Sequence, residues 1–260
     1  MPDTTEYEAQ QIREANAAQR TPVVFIHGLW LLPSSWDRWR AVFEEAGYAT
    51  LAPGWPDDPS TVEDANRHPE VLAHKSVGQI ADHFGDVIGE LKKKPALIGH
   101  SFGGLITQIL AGRGAAAVSV AIDPAPFRGV LPLPVSALKS SAPVIGNPAN
   151  RGRAIPLTYD QFRYAFANGL PASQAAMLAV TQRPIAFSAG SDPSGVPAWQ
   201  TIPSWSLIGT ADHVIPPAEQ LFMSKRAHAH ITEIDAGHLS LISHPSAVTR
   251  VIIAAAQATG

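Results

Sequence analysis

The sequence predicts an α/β protein: a mostly parallel sheet of about six strands, flanked by helices, with a small lid insertion. Three observations lead there. Short β-branched runs alternate with longer stretches of helical periodicity from Thr21 onward. The first runs close on turn-forming pairs such as His27-Gly28 and Pro53-Gly54. The alternation lapses once, between 124 and 200, in a block rich in Pro, Ser and Gly. Strands separated by helices must pair in parallel, because each helix carries the chain back to the starting edge.

The elements follow in order. Residues 1–20 are polar, with no clear apolar stripe, and read as a helical or frayed arm outside the sheet. Val23-Val24-Phe25-Ile26 is the first strand. Ser34 and Ser35 offer an N-cap to a helix from Trp36 to Ala46, which stops at Gly47. Tyr48 to Ala52 is the second strand. Ser76 to Leu91 is a helix whose Val77, Ile80, Phe84, Val87, Ile88 and Leu91 share one face. Ala96-Leu97-Ile98 is the third strand, followed by a helix over Leu105–Ala111. Ala116 to Ile122 is the fourth. The irregular block holds one good helix, near Tyr159–Asn168. Trp205 to Ile208 is the fifth strand, then a helix near Ala218–Arg226, the strand His230–Ile234 and a terminal helix near Ser246–Gln257. The domain reading is a polar arm (1–20), a core (21–123 and 201–260) and a lid (124–200).

Composition narrows the chemistry. The 260 residues are 45% hydrophobic, enough for one globular core. There is no cysteine, so disulfides, thiol nucleophiles and thiolate metal sites are excluded. A net charge of −3 gives no field that would gather nucleic acid. The opening residues lack the basic-then-apolar pattern of a secretory signal, and no apolar run approaches a membrane span. The expectation is a cytoplasmic protein that binds neither nucleic acid nor membrane.

The chemistry centres on Gly99-His100-Ser101-Phe102-Gly103, a G-x-S-x-G placed directly between a strand and a helix. A turn that sharp leaves no room for flanking side chains. The serine is pushed out above the sheet, at the positive end of the following helix. A hydroxyl is a weak nucleophile and needs a positioned base. His238, in Asp235-Ala236-Gly237-His238-Leu239, follows the last strand and falls at the same sheet edge as Ser101. His27 and His100 lie near that edge too, each inside another motif. His68, His74, His83, His228, His230 and His244 have no such context and read as solvated or structural.

The base needs an acid to hold its tautomer. Asp212 ends the segment Leu-Ile-Gly-Thr-Ala-Asp after the fifth strand, and the order Ser, Asp, His fits this architecture. Asp123, at the end of the fourth strand, is the rival; its alternative role is a cap before Pro124. A developing oxyanion needs two N–H donors. Phe102 supplies one at a helix N-terminus, and Leu29, ahead of Trp30, supplies the other after Gly28.

The stretches VVFIHGLW, ALIGHSFGG, SLIGTADHVIPP and DAGHLSLISHP together resemble the α/β-hydrolase superfamily. The compact size, GTADHVIPP and GHLS resemble its small serine esterases, a group that also contains methylesterases and hydroxynitrile lyases. The resemblance implies Ser101, Asp212 and His238 as catalytic residues, Leu29 and Phe102 as the oxyanion hole, no cofactor, no metal and a small apolar ester as substrate. Two departures stand out. Residues 1–20 are too polar for the superfamily's leading antiparallel hairpin, so about six parallel strands are expected. Hydroxynitrile lyases of plant type carry a lysine one residue after the acid, where this chain has His213.

Trp30, His100 and Leu239 flank the catalytic positions and are expected at the substrate pocket. The lid aromatics Phe127, Tyr159, Phe162, Tyr164, Phe166, Phe187 and Trp199 pack the lid or line that pocket; Arg128 and Arg163 read as solvated. The same fold and triad also serve lyases, acyltransferases, perhydrolases, cofactor-free oxygenases and slow-turnover ligand receptors. The sequence holds neither a G-x-G-x-x-G after a strand nor an H-E-x-x-H.

Overall fold

A computed structural model describes residues 4–29, 31–59, 61–72, 75–126, 156–182 and 202–258. Six strands form one sheet: β1 (Pro22–Ile26), β2 (Ala49–Leu51), β3 (Ala96–His100), β4 (Val118–Ile122), β5 (Ser204–Gly209) and β6 (His230–Ile234). Their order is β2-β1-β3-β4-β5-β6, and every neighbouring pair is parallel. All carboxyl ends therefore share one edge. Every residue of β1, β3 and β4 is buried, as central strands covered on both faces must be. β6 is the outer strand, and no residue in it is fully buried.

Helices cover both faces. They are α1 (Glu6–Ala18), α2 (Asp37–Glu45), α3 (Val62–Arg67), α4 (Val77–Gly89), α5 (Phe102–Gly112), α6 (Tyr159–Ala165), α7 (Ala172–Ala179), α8 (Pro217–Arg226), α9 (Ser240–Ser243) and α10 (Pro245–Gln257). No described helix is long and apolar enough to cross a membrane. The expected boundaries shift by a few residues at most places. One start differs in kind. Ser34 and Ser35 do not cap α2; Pro33–Trp36 forms a 3₁₀ turn, and Trp36 takes the N-cap position with no side-chain bond. The proline at the first position favours the tighter turn. Trp36 is then free to bury its ring against Phe25, with centroids 5.0 Å apart. In contrast, Ser76 caps α4 with its side chain, in a reciprocal box with Gln79.

Between β4 and β5 the chain leaves the sheet. Thr158 caps α6 in a box with Gln161, and α7 follows, which periodicity did not reveal. Leu157, Phe162, Ala165, Phe166, Leu170 and Ala175 join the main hydrophobic core. Phe127, Arg128, Phe187 and Trp199 lie outside the described residues.

The N-terminal segment is helical but not an isolated arm. α1 packs against β2 and α4, burying Glu8, Gln11, Ile12 and Ala15 on one face. Those positions have helical spacing, yet two of them are polar, which hides the stripe from a hydrophobicity reading. Both polar side chains find a partner, although Gln11 Nε2 itself has none among the described residues. Gln11 Oε1 accepts from Ala52 N–H at 3.1 Å. Glu8 Oε1 accepts from His83 Nε2 at 2.9 Å, and its other oxygen accepts from Thr5 N–H at 2.8 Å.

Burial alone would raise the Glu8 carboxyl, but the bonds from His83 and Thr5 outweigh it and hold it below its usual 4.5. A depressed carboxyl stabilises the fold above its unfolded value, and that stability is lost as pH falls through the folded value. Glu8→Gln is expected to lower unfolding stability by about 1–2 kcal/mol at neutral pH. The deficit should close in acid, below 4.5; urea unfolding of both proteins at the two pH values checks it.

Candidate active site

The strand β3 passes into α5 through one residue, Ser101, whose backbone is held at φ 55° and ψ −118°. Such a conformation costs a non-glycine residue about 1–3 kcal/mol, so its surroundings must impose it. Ser101 N–H donates to the Ile122 carbonyl at 2.9 Å, and its own carbonyl accepts from Ala125 N–H at 2.9 Å. The flanking glycines have steric reasons. A Cβ on Gly99 would overlap the Gly103 carbonyl, and a Cβ on Gly103 would overlap the Ile26 carbonyl at the end of β1. The helix thus sits so close to two strands that neither position admits a side chain.

His238 lies on the loop after β6 and is fully buried. Its Nδ1 is 2.8 Å from Asp212 Oδ2, and its Nε2 is 2.8 Å from Ser101 Oγ. A carboxylate only accepts, so Nδ1 carries the proton and Nε2 presents its lone pair to the Ser101 hydroxyl. Asp212 is fixed from every side. Its Oδ1 accepts from the N–H groups of Val214 (2.7 Å) and Ile215 (3.0 Å), and its Oδ2 also accepts from Gln220 Nε2 (2.9 Å). Burial by itself would lower the His238 imidazole; Asp212 and then Asp123 outweigh it, so its pKa is raised.

The rival acid is placed elsewhere. Asp123 Oδ1 accepts from Gly209 N–H at 2.7 Å, and its Oδ2 accepts from the Ser240 hydroxyl. Phe102 is the first residue of α5, so its N–H has no acceptor within the helix. Leu29 follows Gly28, where a Cβ would stand 3.2 Å from Ser101 Cβ and 3.1 Å from the His100 carbonyl. The loop after β1 therefore runs against the serine. It is held there by His27, which donates from Nδ1 to the Gly28 carbonyl (3.0 Å) and lies 3.2 Å from Asp58 Oδ2 through Nε2.

A family model described as the alpha/beta hydrolase family matches residues 23–251. The chain belongs to the α/β-hydrolase family. No curated protein matches it significantly. Among solved structures, it is similar to an extracellular α/β-hydrolase from Paenibacillus, described as sharing structural and functional homology with tobacco salicylic acid binding protein 2. The TM-score is 0.72 at 22% identity, covering 91% of this chain and 99% of that one. A pyrethroid hydrolase from Sphingobium faniae gives 0.69 at 20% identity, covering 91% and 97%. A methylesterase from Arabidopsis gives 0.69 at 14%, covering 91% and 99%.

In this α/β-hydrolase the residues expected at the pocket divide. Trp30 lies outside the described residues. Leu239 is buried in the hydrophobic core. His100 is buried as well, and donates from Nε2 to the His238 carbonyl at 2.8 Å. Burial, and the charge of His238 beside it, push the His100 imidazole down to about 3, so it stays neutral while its Nε2 braces the segment that carries His238. Among the described residues, no group of three or more His, Asp or Glu could hold a metal ion.

Of the other residues at the site, Gln220 and Asn168 had no sequence signal, whereas Phe166 and Tyr164 were among the lid aromatics and His213 follows the acid. Gln220 reaches back from α8 to Asp212, but a glutamine eight residues beyond an acid announces nothing. Phe166 sets its ring edge-on to His238, 5.1 Å between centroids at 82°. Asn168 Nδ2 donates to the Ala211 carbonyl at 2.6 Å, close to Asp212. His213 turns to the same segment, donating from Nδ1 to the Tyr164 carbonyl at 3.0 Å. The remaining described histidines serve elsewhere: His83 on Glu8, His230 stacked on Trp205, His68 exposed beside Glu70, His244 with Nδ1 2.8 Å from Ser243 Oγ, and His228 in the turn after α8 at a φ of 51°. His74 lies outside the described residues.

The steric account is directly testable. Gly103→Ala should cost roughly 3 kcal/mol, since backbone rather than a flexible side chain must yield. Gly89→Ala, where nothing lies within 4 Å of the new methyl, should be neutral or stabilising by about 0.5–1 kcal/mol. Denaturant unfolding of the two variants checks both.

Proposed function

We propose that this chain hydrolyses carboxylic esters through an acyl-enzyme on Ser101. The carrying observation is one imidazole, His238, bonded through Nε2 to the Ser101 hydroxyl and through Nδ1 to a buried carboxylate. Ser101 Oγ attacks the ester carbonyl carbon while His238 Nε2 takes its proton. The negative oxygen of the tetrahedral intermediate rests on the N–H groups of Leu29 and Phe102. The C–O bond to the alcohol breaks as His238 returns the proton to the leaving oxygen. Water then attacks the acyl carbon as His238 takes its proton, and the second tetrahedral intermediate breaks its bond to Ser101 Oγ as His238 returns that proton to Oγ, releasing the acid. Asp212 holds the Nδ1 proton in place and stabilises the imidazolium formed in each half.

Residues 124–200 act as a lid, in this reading. α6 and α7 bury their apolar faces on the core, and Phe166, Asn168 and Tyr164 approach His238, Ala211 and His213 from that side. Exclusion of water by such a cover strengthens every bond in the site. The substrate is a small apolar ester; among the structural neighbours, one is named a methylesterase and another a pyrethroid hydrolase.

A fluorophosphonate should place one adduct on Ser101, and none on Ser101→Ala. His238→Ala should lower kcat toward a p-nitrophenyl short-chain ester at least about 10³-fold. Intact-mass and peptide mass spectrometry, with steady-state rates, check both. Equal labelling of wild type and Ser101→Ala would refute the reading.

A further inference from the structure

Asp123 is a buried carboxylate that the mechanism above leaves unused, and its position is unusual. It ends β4, between the strand that carries Ser101 and the strand that leads to Asp212. Its backbone takes a positive φ of 44°, uncommon for a residue with a side chain though less so for aspartate than for most. Its N–H donates to the Leu207 carbonyl at 2.9 Å. Its side chain then crosses to two loops. Oδ1 accepts from Gly209 N–H at 2.7 Å, three residues before Asp212. Oδ2 accepts from the hydroxyl of Ser240, two residues after His238. Ile122, the residue before it, holds Ser101 N–H at 2.9 Å. The segments bearing the proposed triad thus meet at two adjacent residues, Ile122 for Ser101 and Asp123 for the other two.

We propose that Asp123 is a positioning residue for that triad: its carboxylate ties the acid loop to the base loop, and its charge acts on the His238 imidazolium. This rests on the ester-hydrolase reading. A neutral cap would need neither complete burial nor bonds to both loops. Three elements face Asp123 with groups of consequence. The loop after β5 brings Asp212, the loop after β6 brings His238 and Ser240, and β3 brings His100 against the His238 ring, 5.0 Å between centroids. Of these, His100 is neutral, so the interacting charges are Asp123, Asp212 and His238. Burial, and then the charge of Asp212, push the Asp123 carboxyl up to about 7, despite the opposing pull of His238, Ser240 and Gly209. The proton on Asp123 therefore comes off within the pH range where His238 must act as a base. Once ionised, Asp123 favours the protonated imidazole and makes His238 a stronger base.

The same raised value fixes a sign for stability. The folded chain binds more protons than the unfolded one between 3.8 and about 7, so this group's contribution is lost as pH rises through that window.

Asp123→Asn separates the two roles. The amide oxygen still accepts from Gly209 and the amide nitrogen can donate to the Ser240 oxygen, while the charge is gone. With a p-nitrophenyl ester, the acid limb of kcat/KM in Asp123→Asn should move to lower pH than in wild type. Its melting temperature, relative to wild type, should rise as pH goes from 3.8 to about 7. Asp123→Ala, which removes both ties, should lower kcat about 10- to 100-fold with KM little changed. An acid limb of Asp123→Asn that superimposes on wild type overturns the inference, whatever Asp123→Ala does. If wild type fails to take the fluorophosphonate on Ser101, the ester-hydrolase reading itself fails. A labelled, active wild type with an unmoved limb isolates the failure to Asp123.

Discussion

The close approach of α5 to the end of β1 is the contact on which the site depends. Gly103 lies against the Ile26 carbonyl, and Gly99 lies against Gly103. Only backbones without side chains can come this near. The approach forces the chain to reverse within one residue, and Ser101 takes up the strain. In return the serine stands clear of the sheet edge, with the N-terminal N–H groups of α5 beside it. The same crowding brings Gly28 against Ser101, so the loop after β1 has one path past the hydroxyl.

Around that turn the structure buries three ionisable groups close together: Asp123, Asp212 and His238. Two carboxylates beside one imidazole cannot all be treated alike in a medium of low polarity. The environment separates them. Asp212 receives hydrogen bonds from Val214, Ile215, Gln220 and His238. Asp123 receives two, from Gly209 and Ser240, and burial, then the charge of Asp212, pushes its carboxyl up.

The N-terminal helix follows the same logic away from the site. Its inward face carries Glu8 and Gln11 beside Ile12 and Ala15. An unpaired carboxylate in that position would be costly. Thr5, His83 and the Ala52 N–H supply the partners, and the helix docks on the edge of the sheet. A sheet edge that would otherwise stand open beside β2 is thereby covered.

By itself, the sequence determined the alternation of strands and helices, hence six parallel strands and a shared carboxyl edge, because hydrophobic period and glycine placement are local properties. It also singled out Ser101, Asp212 and His238, since each lies within a few residues of a strand's carboxyl end and those ends share one edge. Tertiary structure alone decided what surrounds them. Gln220, Phe166 and Asn168 reach the site from a helix and an insertion whose docking no local pattern encodes. The bond from His100 to the His238 carbonyl, across 138 positions of the chain, has no local signature either. The capping expected of Ser34 and Ser35 yielded to the burial of Trp36. α1 looked detached because two residues of its buried face are polar. The physical reason is common to all: periodicity reports which residues avoid water, whereas a buried polar side chain is stable only through a partner distant in the chain, and that partner exists only once the chain has folded.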